Sequence, residues 1–225
     1  MKDVFQPRFY RAWAGSGDLA CFTVREDETD LAVKASVQLK AETREIVVRL
    51  RKQLLEYAKE HPRFLTSFSP LPTADDAPEV VRLMARAAEA YDVGPMAAVA
   101  GAIAELTGGE LLELMKEKVD SPQVIIENGG DCFIKMNQPA VVSLYAGPYS
   151  PFGNKLRLRI DASISPRGVC TSSGTFGHSI SFGKADAVVA VAESAALADA
   201  AATVFCFKQK TAYDVRRAVE NEKRR

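Results

Sequence analysis

The stretch from Thr171 to Phe205 places the strongest constraint on how this chain folds. It begins with a Gly/Ser-rich turn, TSSGTFG, continues through an apolar run from Ala187 to Ala192, and ends in an Ala-rich segment. A short apolar run beside turn residues is typical of a strand, and the longer Ala-rich segment is typical of a helix. A polar turn, a strand and a helix are therefore expected close together.

The first part of the chain predicts strands followed by a long helix. From Arg8 to Ser36, short apolar runs alternate with turn residues, which favours a strand meander. Within it, Glu28, Thr29 and Asp30 are interpreted as a solvated hairpin turn, with a position facing a site as the alternative. From Ala41 to Glu60, apolar residues recur at helical spacing with Arg and Lys between them, so an amphipathic helix is expected.

The remaining patterns complete an α+β order of elements. A second helix is expected to begin near Asp76 to Pro78, and Gly108 and Gly109 are expected to break the next one before a short helix from Glu110 to Glu117. The runs VIIE, CFIKM, AVVSLYA and KLRLRI then predict strands. Strands, helices, strands and a late helix favour α+β over a regularly alternating α/β sheet.

Composition and charge exclude several classes of function. The 29 basic residues balance the 29 acidic ones, so no overall field attracts nucleic acid or an anionic membrane. No apolar run reaches membrane-spanning length and the first residues lack a signal-peptide core, so we expect a cytoplasmic protein. Ala/Gly-rich helices permit a homodimer. Buried reduced thiols are expected at Cys21, Cys132, Cys170 and Cys206, which lack CxxC spacing.

Two polar islands in apolar sequence are candidate binding sites. The first, DVGPMAAVAG, places Gly94 and a proline at a helix start, where free backbone N–H groups suit a phosphate. The alternative is that this Ala/Gly-rich helix is a tight packing surface. The second island has two carboxylates around a turn, which could bind a cation or ribose hydroxyls, although a plain hairpin uses the same residues. It comprises Glu127, Asn128, Gly129, Gly130 and Asp131.

The third island is the stretch from Thr171 to Phe205. Asp199 and Thr203 are four residues apart, so on a helix both project from one face and offer oxygen ligands to Mg²⁺. His178 follows a Gly/Ser turn, a suitable place for a proton-transfer group, with a hydrogen-bonded structural histidine as the alternative. The turn forms the rim of the expected pocket through Ser172, Ser173, Gly174 and Thr175.

Taken in order, these residues resemble the ApbE superfamily, the FAD:protein FMN transferases. The shared order is a D-x-G-rich helix start, an Asn/Gly/Gly/Asp turn after a strand, Ser-Gly, His, and an Ala-Asp-x-x-x-Thr helix. The segments VGPMAAVAGAIAE, IENGGD, TSSGTFGHSISFGKAD and ADAAAT look more closely like a shorter, cytoplasmic branch of that superfamily. Agreement of several islands in order is more specific than any single one.

The resemblance implies a single ApbE-like domain over residues 1–207 with an α+β, T-fold-related architecture. This architecture has two intertwined subdomains with antiparallel sheets and packed helices. A flavin nucleotide such as FAD would lie between the subdomains, with Mg²⁺ at its pyrophosphate. Matched residue by residue, the resemblance assigns the metal to Asp199 and Thr203, the reacting phosphate to His178, and the nucleotide-side turn to Gly129, Gly130 and Asp131.

Two functional hypotheses follow from different classes. The leading one is a flavin- or nucleotide-binding protein with a Mg²⁺-dependent phosphate site, acting as a transferase or hydrolase on a flavin nucleotide. The second is a non-catalytic accessory or binding protein of the same fold. The resemblance to the shorter branch connects such a protein with sulfide assimilation and homocysteine formation. Ala100-Gly101 stands where the resemblance predicts Lys-Gly, and this difference favours the second hypothesis. The alternative to both hypotheses is an ordinary scaffold that binds no ligand.

The last residues, 208–225, differ in character from the rest of the chain. The sequence KQKTAYDVRRAVENEKRR abruptly loses the apolar patterning. Lys208 to Tyr213 resembles the translation of a sequencing-library adapter, so we interpret the tail as non-native and the native gene as truncated near Phe207. The alternative is a charged amphipathic helix, because Val215 and Val219 are four residues apart.

Overall fold

A six-stranded antiparallel sheet forms the centre of the computed structural model, which describes residues 8, 10–11, 15, 17–146, 150–152, 155–175, 183–209 and 211. In spatial order its strands are β1 (Ala20–Glu26), β2 (Thr29–Ala35), β3 (Val124–Asn128), β4 (Asp131–Lys135), β7 (Arg167–Ser172) and β8 (Val188–Ala192). A separate antiparallel pair is formed by β5 (Ala140–Leu144) and β6 (Leu156–Ile160). The strands predicted by the four apolar runs after Gln123 are thus confirmed.

The two faces of the large sheet are covered by different elements. One face carries Val33, Ile126 and Phe133 and packs against helices in the main core. The other face carries Ile134 and Val169, which pack against Ile160 of the small sheet. This alternation follows from the two-residue period of a strand, which points successive side chains to opposite faces.

Five helices complete the described part of the chain. Their bounds are α1 (Lys40–Glu60), α2 (Arg63–Thr66), α3 (Glu79–Tyr91), α4 (Val99–Met115) and α5 (Ala195–Lys208), with a 3₁₀ turn over Pro95–Ala98 before α4. The predictions of α1, of the start of α3 and of a final Ala-rich helix are confirmed. Helices and antiparallel strands together confirm the α+β class. Among the described residues, every helix is too short or too polar to cross a membrane.

The predicted strand meander near the N-terminus is confirmed by the antiparallel pair β1 and β2, and it is wrong in two respects. Strand structure among the described residues begins only at Ala20, and Tyr10 and Arg11 lie in a 3₁₀ turn. Glu28 lies in the exposed β1–β2 turn, as predicted, whereas Thr29 and Asp30 belong to β2 and are only 4% and 8% exposed. Burial of these polar groups is tolerated because Arg11 binds the Asp30 carboxylate and Arg51 binds the Thr29 hydroxyl.

The predicted break at Gly108 and Gly109 is also wrong, since α4 continues through both glycines to Met115. Gly108 faces the sheet, where an added Cβ would overlap the ring of Phe133 and lie 3.3 Å from Cγ1 of Ile126. Gly109 faces open space, with no atom within 4 Å of an added Cβ. The first glycine therefore permits close helix-to-sheet packing, and this contact across the fold outweighs the low helix propensity of glycine.

Alanine substitutions at these neighbouring glycines are expected to have opposite effects. Gly109→Ala is expected to stabilise the protein by about 0.5–1 kcal/mol, because alanine favours the helix and meets no neighbour. Gly108→Ala is expected to destabilise it by about 1–3 kcal/mol, because the new methyl group displaces the Phe133 ring. Urea unfolding of both variants checks the pair, and equal shifts of the same sign would contradict the packing argument.

Helix α5 ends at Lys208, close to the predicted end of the domain at residue 207. Gln209 follows it and is buried, and its carbonyl accepts a hydrogen bond from the Lys184 N–H at 2.7 Å. Residue 210 and residues 212–225 lie outside the described residues. The interpretation of the tail as non-native therefore stays a prediction.

Candidate functional site

Asp199 lies on α5 with its carboxylate at the start of α4. Helix α5 is capped at its N-terminus by Ser194, whose hydroxyl oxygen accepts the Leu197 N–H at 3.3 Å. One turn later, Oδ2 of the buried Asp199 accepts the Gly101 N–H at 2.9 Å. Because α4 has no side-chain cap at its own N-terminus, the carboxylate from α5 satisfies one of its free N–H groups.

The two helices approach closely at Gly101. An added Cβ there would overlap the backbone carbonyl of Ala195 and lie 2.9 Å from the Cβ of Asp199. Glu105, one turn further along α4, reaches the start of α5 in return. Its Oε2 accepts the Ser194 hydroxyl at 2.6 Å and the Ala196 N–H at 3.1 Å. Each helix thus caps the other, which fixes Asp199 relative to α4.

This reciprocal capping gives a prediction for Glu105. Glu105→Ala is expected to lower the free energy of unfolding by about 1–2 kcal/mol, because Ser194 and the Ala196 N–H lose their acceptor. Glu105→Gln is expected to lose less, since its amide oxygen can still accept. Glu113→Ala, on the exposed side of α4, is the control in urea unfolding. Equal losses in the Glu105→Ala and Glu113→Ala variants would contradict the capping role.

The turn between β3 and β4 also contacts the start of α4, from the side of the sheet. Asn128 donates from Nδ2 to the Ala100 carbonyl at 3.1 Å, and Asp131 accepts the Thr171 N–H at 3.2 Å. Gly129 and Gly130 connect them with φ values of +70° and +106°, a conformation that favours glycine. The predicted plain hairpin is therefore present, and its polar side chains also join the turn to α4 and β7.

Asp131 and Asp199 form a pair of buried carboxylates, each 8% exposed. Burial raises the pKa of Asp199 to about 7, and the N–H groups of Gly101 and Ala100 offset part of that rise. Burial and the nearby charge of Asp199 raise the pKa of Asp131 well above its usual value. The ion pairs of the described residues include neither carboxylate. These are the properties of a site where a cation would be stabilised.

The thiols beside this pair are not activated. Cys170 is buried and donates from Sγ to the Ala195 carbonyl at 3.2 Å. Burial, followed by the charges of Asp131 and Asp199, raises the pKa of Cys170 well above its usual value. Burial likewise raises the pKa of Cys132. The prediction of buried thiols holds at Cys170 and Cys206, whereas Cys21 is exposed and Cys132 is half-buried.

Glu127 does not face the buried pair as a free ligand, contrary to the hypothesis of two carboxylates around the turn. It accepts the Tyr10 hydroxyl at 2.9 Å, Nε of Arg11 at 2.6 Å and the Gly130 N–H at 2.8 Å. Arg11 also binds Asp30, with Nη1 at 2.8 Å from Oδ1. The charge of Glu127 is therefore neutralised by Arg11, which is far away in the sequence. Glu127 in turn holds the β3–β4 turn in place through its bond to the Gly130 N–H.

The other predicted site residues lie around this centre or apart from it. Thr203 lies one turn beyond Asp199 on α5 and is half-buried. Ser172 ends β7, and the loop after it is held by a bond from the Gly174 N–H to the Ala185 carbonyl at 2.9 Å. Within that loop Thr175 donates to Asp186, and Ser173 accepts the Thr175 N–H. His178 lies outside the described residues.

Gly94 has a packing explanation in the structure. It is buried before the 3₁₀ turn, and an added Cβ would overlap the backbone carbonyl of Ser67. The helix start that meets the Asp199 carboxylate and the Asn128 amide is instead at Ala100 and Gly101. Because this contact joins residues far apart in sequence, the Ala/Gly-rich pattern could not distinguish Gly101 from Gly94. A phosphate-binding role for Gly94 stays a prediction.

A cavity of about 250 Å³ lies elsewhere, beside α1 and the β1–β2 turn. Its lining includes Arg51 and Glu56, and Arg51 pairs with Asp27 and Glu28 at 3.0 and 2.6 Å. It shares no residue with the Asp131–Asp199 pair. The chemistry of the buried carboxylates, rather than this cavity, therefore identifies the candidate site.

The family described as AbpE bacteria has a model that matches residues 11–223. This chain belongs to that family. The matched residues include the β3–β4 turn and Asp199, which carry the candidate site. The resemblance to the ApbE superfamily drawn from the sequence islands is thus confirmed.

Archaeal proteins are similar to the chain over most of its length. A UPF0280 protein of Methanopyrus kandleri is 44% identical over 181 residues, which cover 80% of this chain and 70% of the relative. A UPF0280 protein of Methanocaldococcus jannaschii is 46% identical over 163 residues, or 72% of this chain and 64% of the relative. The matches therefore span about two thirds of the length of these relatives.

The fold is similar to that of a solved flavinyl transferase. The apo form of flavinyl transferase ApbE from Pseudomonas stutzeri superimposes with a TM-score of 0.56, covering 91% of this chain and 88% of that one. The two sequences are 14% identical, so the likeness is one of fold. It confirms the predicted ApbE-like α+β architecture.

Proposed function

We propose that this protein binds a flavin nucleotide such as FAD, with Mg²⁺ held at the phosphates by Asp199 and Asp131. The observation that carries the proposal is the pair of buried carboxylates at the N-terminal end of α4, without a cationic side chain paired to either among the described residues. Burial raises the pKa of both groups, and the charge of Asp199 raises that of Asp131 further, so their ionised forms are unfavourable there. A bound cation would remove that penalty.

The donor atoms fit Mg²⁺ because all of them are oxygens. Asp131 and Asp199 supply carboxylates, and Thr203 supplies a hydroxyl on the same face of α5 as Asp199. Among the described residues, no group of three or more His, Cys, Asp or Glu side chains could hold a metal. Backbone carbonyls, waters and substrate phosphates would therefore complete the shell, as is usual for Mg²⁺. Mg²⁺ bound there would neutralise pyrophosphate charge.

The chain's own residues give the site its shape. The Gly101 N–H fixes one oxygen of Asp199, and the Thr171 N–H fixes one oxygen of Asp131, so each carboxylate keeps a defined orientation. Gly129 is exposed on the turn that ends at Asp131, and a nucleotide at the carboxylates can lie against it. Family membership and the fold shared with a flavinyl transferase support a flavin as that nucleotide.

Catalysis on the bound nucleotide is a separate part of the proposal. His178 is the proposed proton-transfer group for transfer or hydrolysis, since the thiols of Cys170 and Cys132 have raised pKa values, stay protonated and are poor nucleophiles. The alternative is binding without chemistry, as an accessory protein, for which sulfide assimilation and homocysteine formation are the proposed setting. FMN and AMP production from FAD, lost in His178→Ala, would support an enzyme, whereas tight FAD binding without products would support the accessory role.

Calorimetric titration with FAD tests the binding proposal. The wild-type protein is expected to bind FAD in the presence of Mg²⁺ and to bind it at least tenfold more weakly in EDTA. Riboflavin, which lacks the phosphates, is expected to show no dependence on Mg²⁺. Failure to bind FAD, or equal affinity with Mg²⁺ and with EDTA, would contradict the proposed Mg²⁺-dependent flavin site.

A further inference from the structure

The β3–β4 turn is covered on its outer side by Arg8, Tyr10 and Arg11, which we call the N-terminal arm. Tyr10 and Arg11 bind Glu127 at 2.9 and 2.6 Å, at the base of the turn. On the inner side, an added Cβ at Gly130 would lie 3.8 Å from the Thr171 carbonyl of β7. The turn therefore lies between the arm and the strand that orients Asp131.

The two arginines of the arm are used differently. Arg11 is fully engaged, because Nε binds Glu127, Nη1 binds the Asp30 carboxylate and Nη2 binds the Asp30 carbonyl at 2.7 Å. Arg8 donates from Nη1 to the same carbonyl at 2.5 Å, and its Nε lies 3.7 Å from Oδ2 of Asp30. The hydrogen bonds of the described residues leave Nη2 of Arg8 without an acceptor.

Nη2 of Arg8 lies at the exposed part of the turn. An added Cβ at Gly129 would have this nitrogen as its nearest neighbour, at 3.5 Å. Gly129 has no side chain to fill the space in front of the guanidinium, and the arm's bonds to Glu127 and Asp30 fix the arginine backbone nearby. The result is a positioned donor on the surface of a glycine turn, an arrangement suited to an anion.

We propose that Arg8 is a phosphate-binding residue, which contacts a phosphate of the nucleotide across Gly129. The proposal rests on the proposed nucleotide site at this turn. On the inner side of the turn, Asp131 and Asp199 repel a phosphate unless a cation is present. The positive charge of Arg8 on the outer side attracts the phosphate instead. A guanidinium suits this role because its charge strengthens the hydrogen bond that Nη2 can donate to a phosphate oxygen.

The matched variants remove the same charge at different places. Arg8→Gln removes the guanidinium beside Gly129, and Arg44→Gln removes one from the exposed side of α1, where Arg44 pairs with Glu26 at 3.1 Å. Arg8→Lys keeps the charge and loses the planar fork. Thermal unfolding of each variant checks whether the fold is retained. If Arg8→Gln does not fold, Arg8→Lys provides the test.

Titration with inorganic pyrophosphate and with FAD, both in Mg²⁺, tests the role of Arg8. The wild-type protein is expected to bind both probes, Arg8→Gln to bind each at least tenfold more weakly, and Arg8→Lys to be intermediate. Arg44→Gln is expected to stay within twofold of the wild type. A steeper fall of affinity with added salt in the wild type than in Arg8→Gln would accompany a direct ionic contact.

The outcomes separate this inference from the proposed flavin function. Pyrophosphate binding that depends on Arg8, without any FAD binding, would support the phosphate contact and contradict the flavin proposal. FAD binding that is equal in wild type and Arg8→Gln would overturn the inference and leave the flavin proposal standing. Failure of the wild type to bind pyrophosphate and FAD would overturn both.

Discussion

Gly101→Ala is expected to lower the free energy of unfolding by about 3 kcal/mol, the upper end of the usual range for overpacking. The added methyl group would overlap the Ala195 carbonyl, which is backbone and cannot rotate away as a side chain can. It would also come within 2.9 Å of the Cβ of Asp199. Helices α4 and α5 must therefore separate, and a fall in melting temperature of roughly 6–12 °C is expected for a chain of this size.

The same substitution is expected to weaken Mg²⁺-dependent FAD binding at least tenfold, because separating the helices moves Asp199 from its bond to residue 101. Gly109→Ala in the same helix is the control, since its methyl group meets no atom within 4 Å. Differential scanning calorimetry and FAD titration of both variants measure the two effects. A Gly101→Ala protein as stable as the wild type would show that the helices are not in this close contact.

In EDTA, the free energy of unfolding is expected to fall as the pH rises from about 4 to about 7. Burial raises the pKa of Asp199 to about 7 in the folded protein, whereas an unfolded aspartate titrates near pH 4. Between these values the folded state keeps a proton that the unfolded state has lost, so stability decreases with rising pH. The slope approaches roughly 1.4 kcal/mol per pH unit for one proton, and the loss is complete above the folded pKa.

Asp199→Asn is expected to make this decline shallower, because the amide carries no titratable proton and relieves the repulsion on Asp131, whose pKa burial alone still raises. Glu45→Gln, which removes a carboxylate from the exposed side of α1, is the matched control and is expected to keep the wild-type slope. Urea unfolding at half-unit steps of pH measures the effect. Identical slopes in wild type and Asp199→Asn would mean that the raised pKa of Asp199 does not govern this pH dependence.

Local patterns predicted most of the elements that surround the site. The 3.6-residue period predicted α1, and turn residues between apolar runs predicted β3 to β6. The Asn128-Gly129-Gly130-Asp131 turn followed from its glycines, and its φ values of +70° and +106° confirm that it requires them. These features depend on residues close in sequence, which is why the sequence was sufficient.

The contacts that orient the site could not be predicted, because they join distant residues. Asp199 meets the Gly101 N–H across 98 residues, and Arg11 meets Glu127 across 116. No local signal identifies Gly101 as the glycine that packs against the Ala195 carbonyl, or Arg11 as the partner of Glu127. The same reason explains the error at Gly108, where packing against Phe133 is visible only in the folded chain.

The most direct test of the proposed site compares FAD binding by wild type and Asp199→Asn, each with Mg²⁺ and with EDTA. Asparagine retains an oxygen that can accept the Gly101 N–H, so the cap on α4 stays while the charge is removed. We expect the wild type to bind FAD tightly only with Mg²⁺, and the variant to lose at least tenfold in affinity while remaining folded. Equal Mg²⁺-dependent affinity in the two proteins would show that Asp199 serves only as a helix cap, and would contradict the metal site.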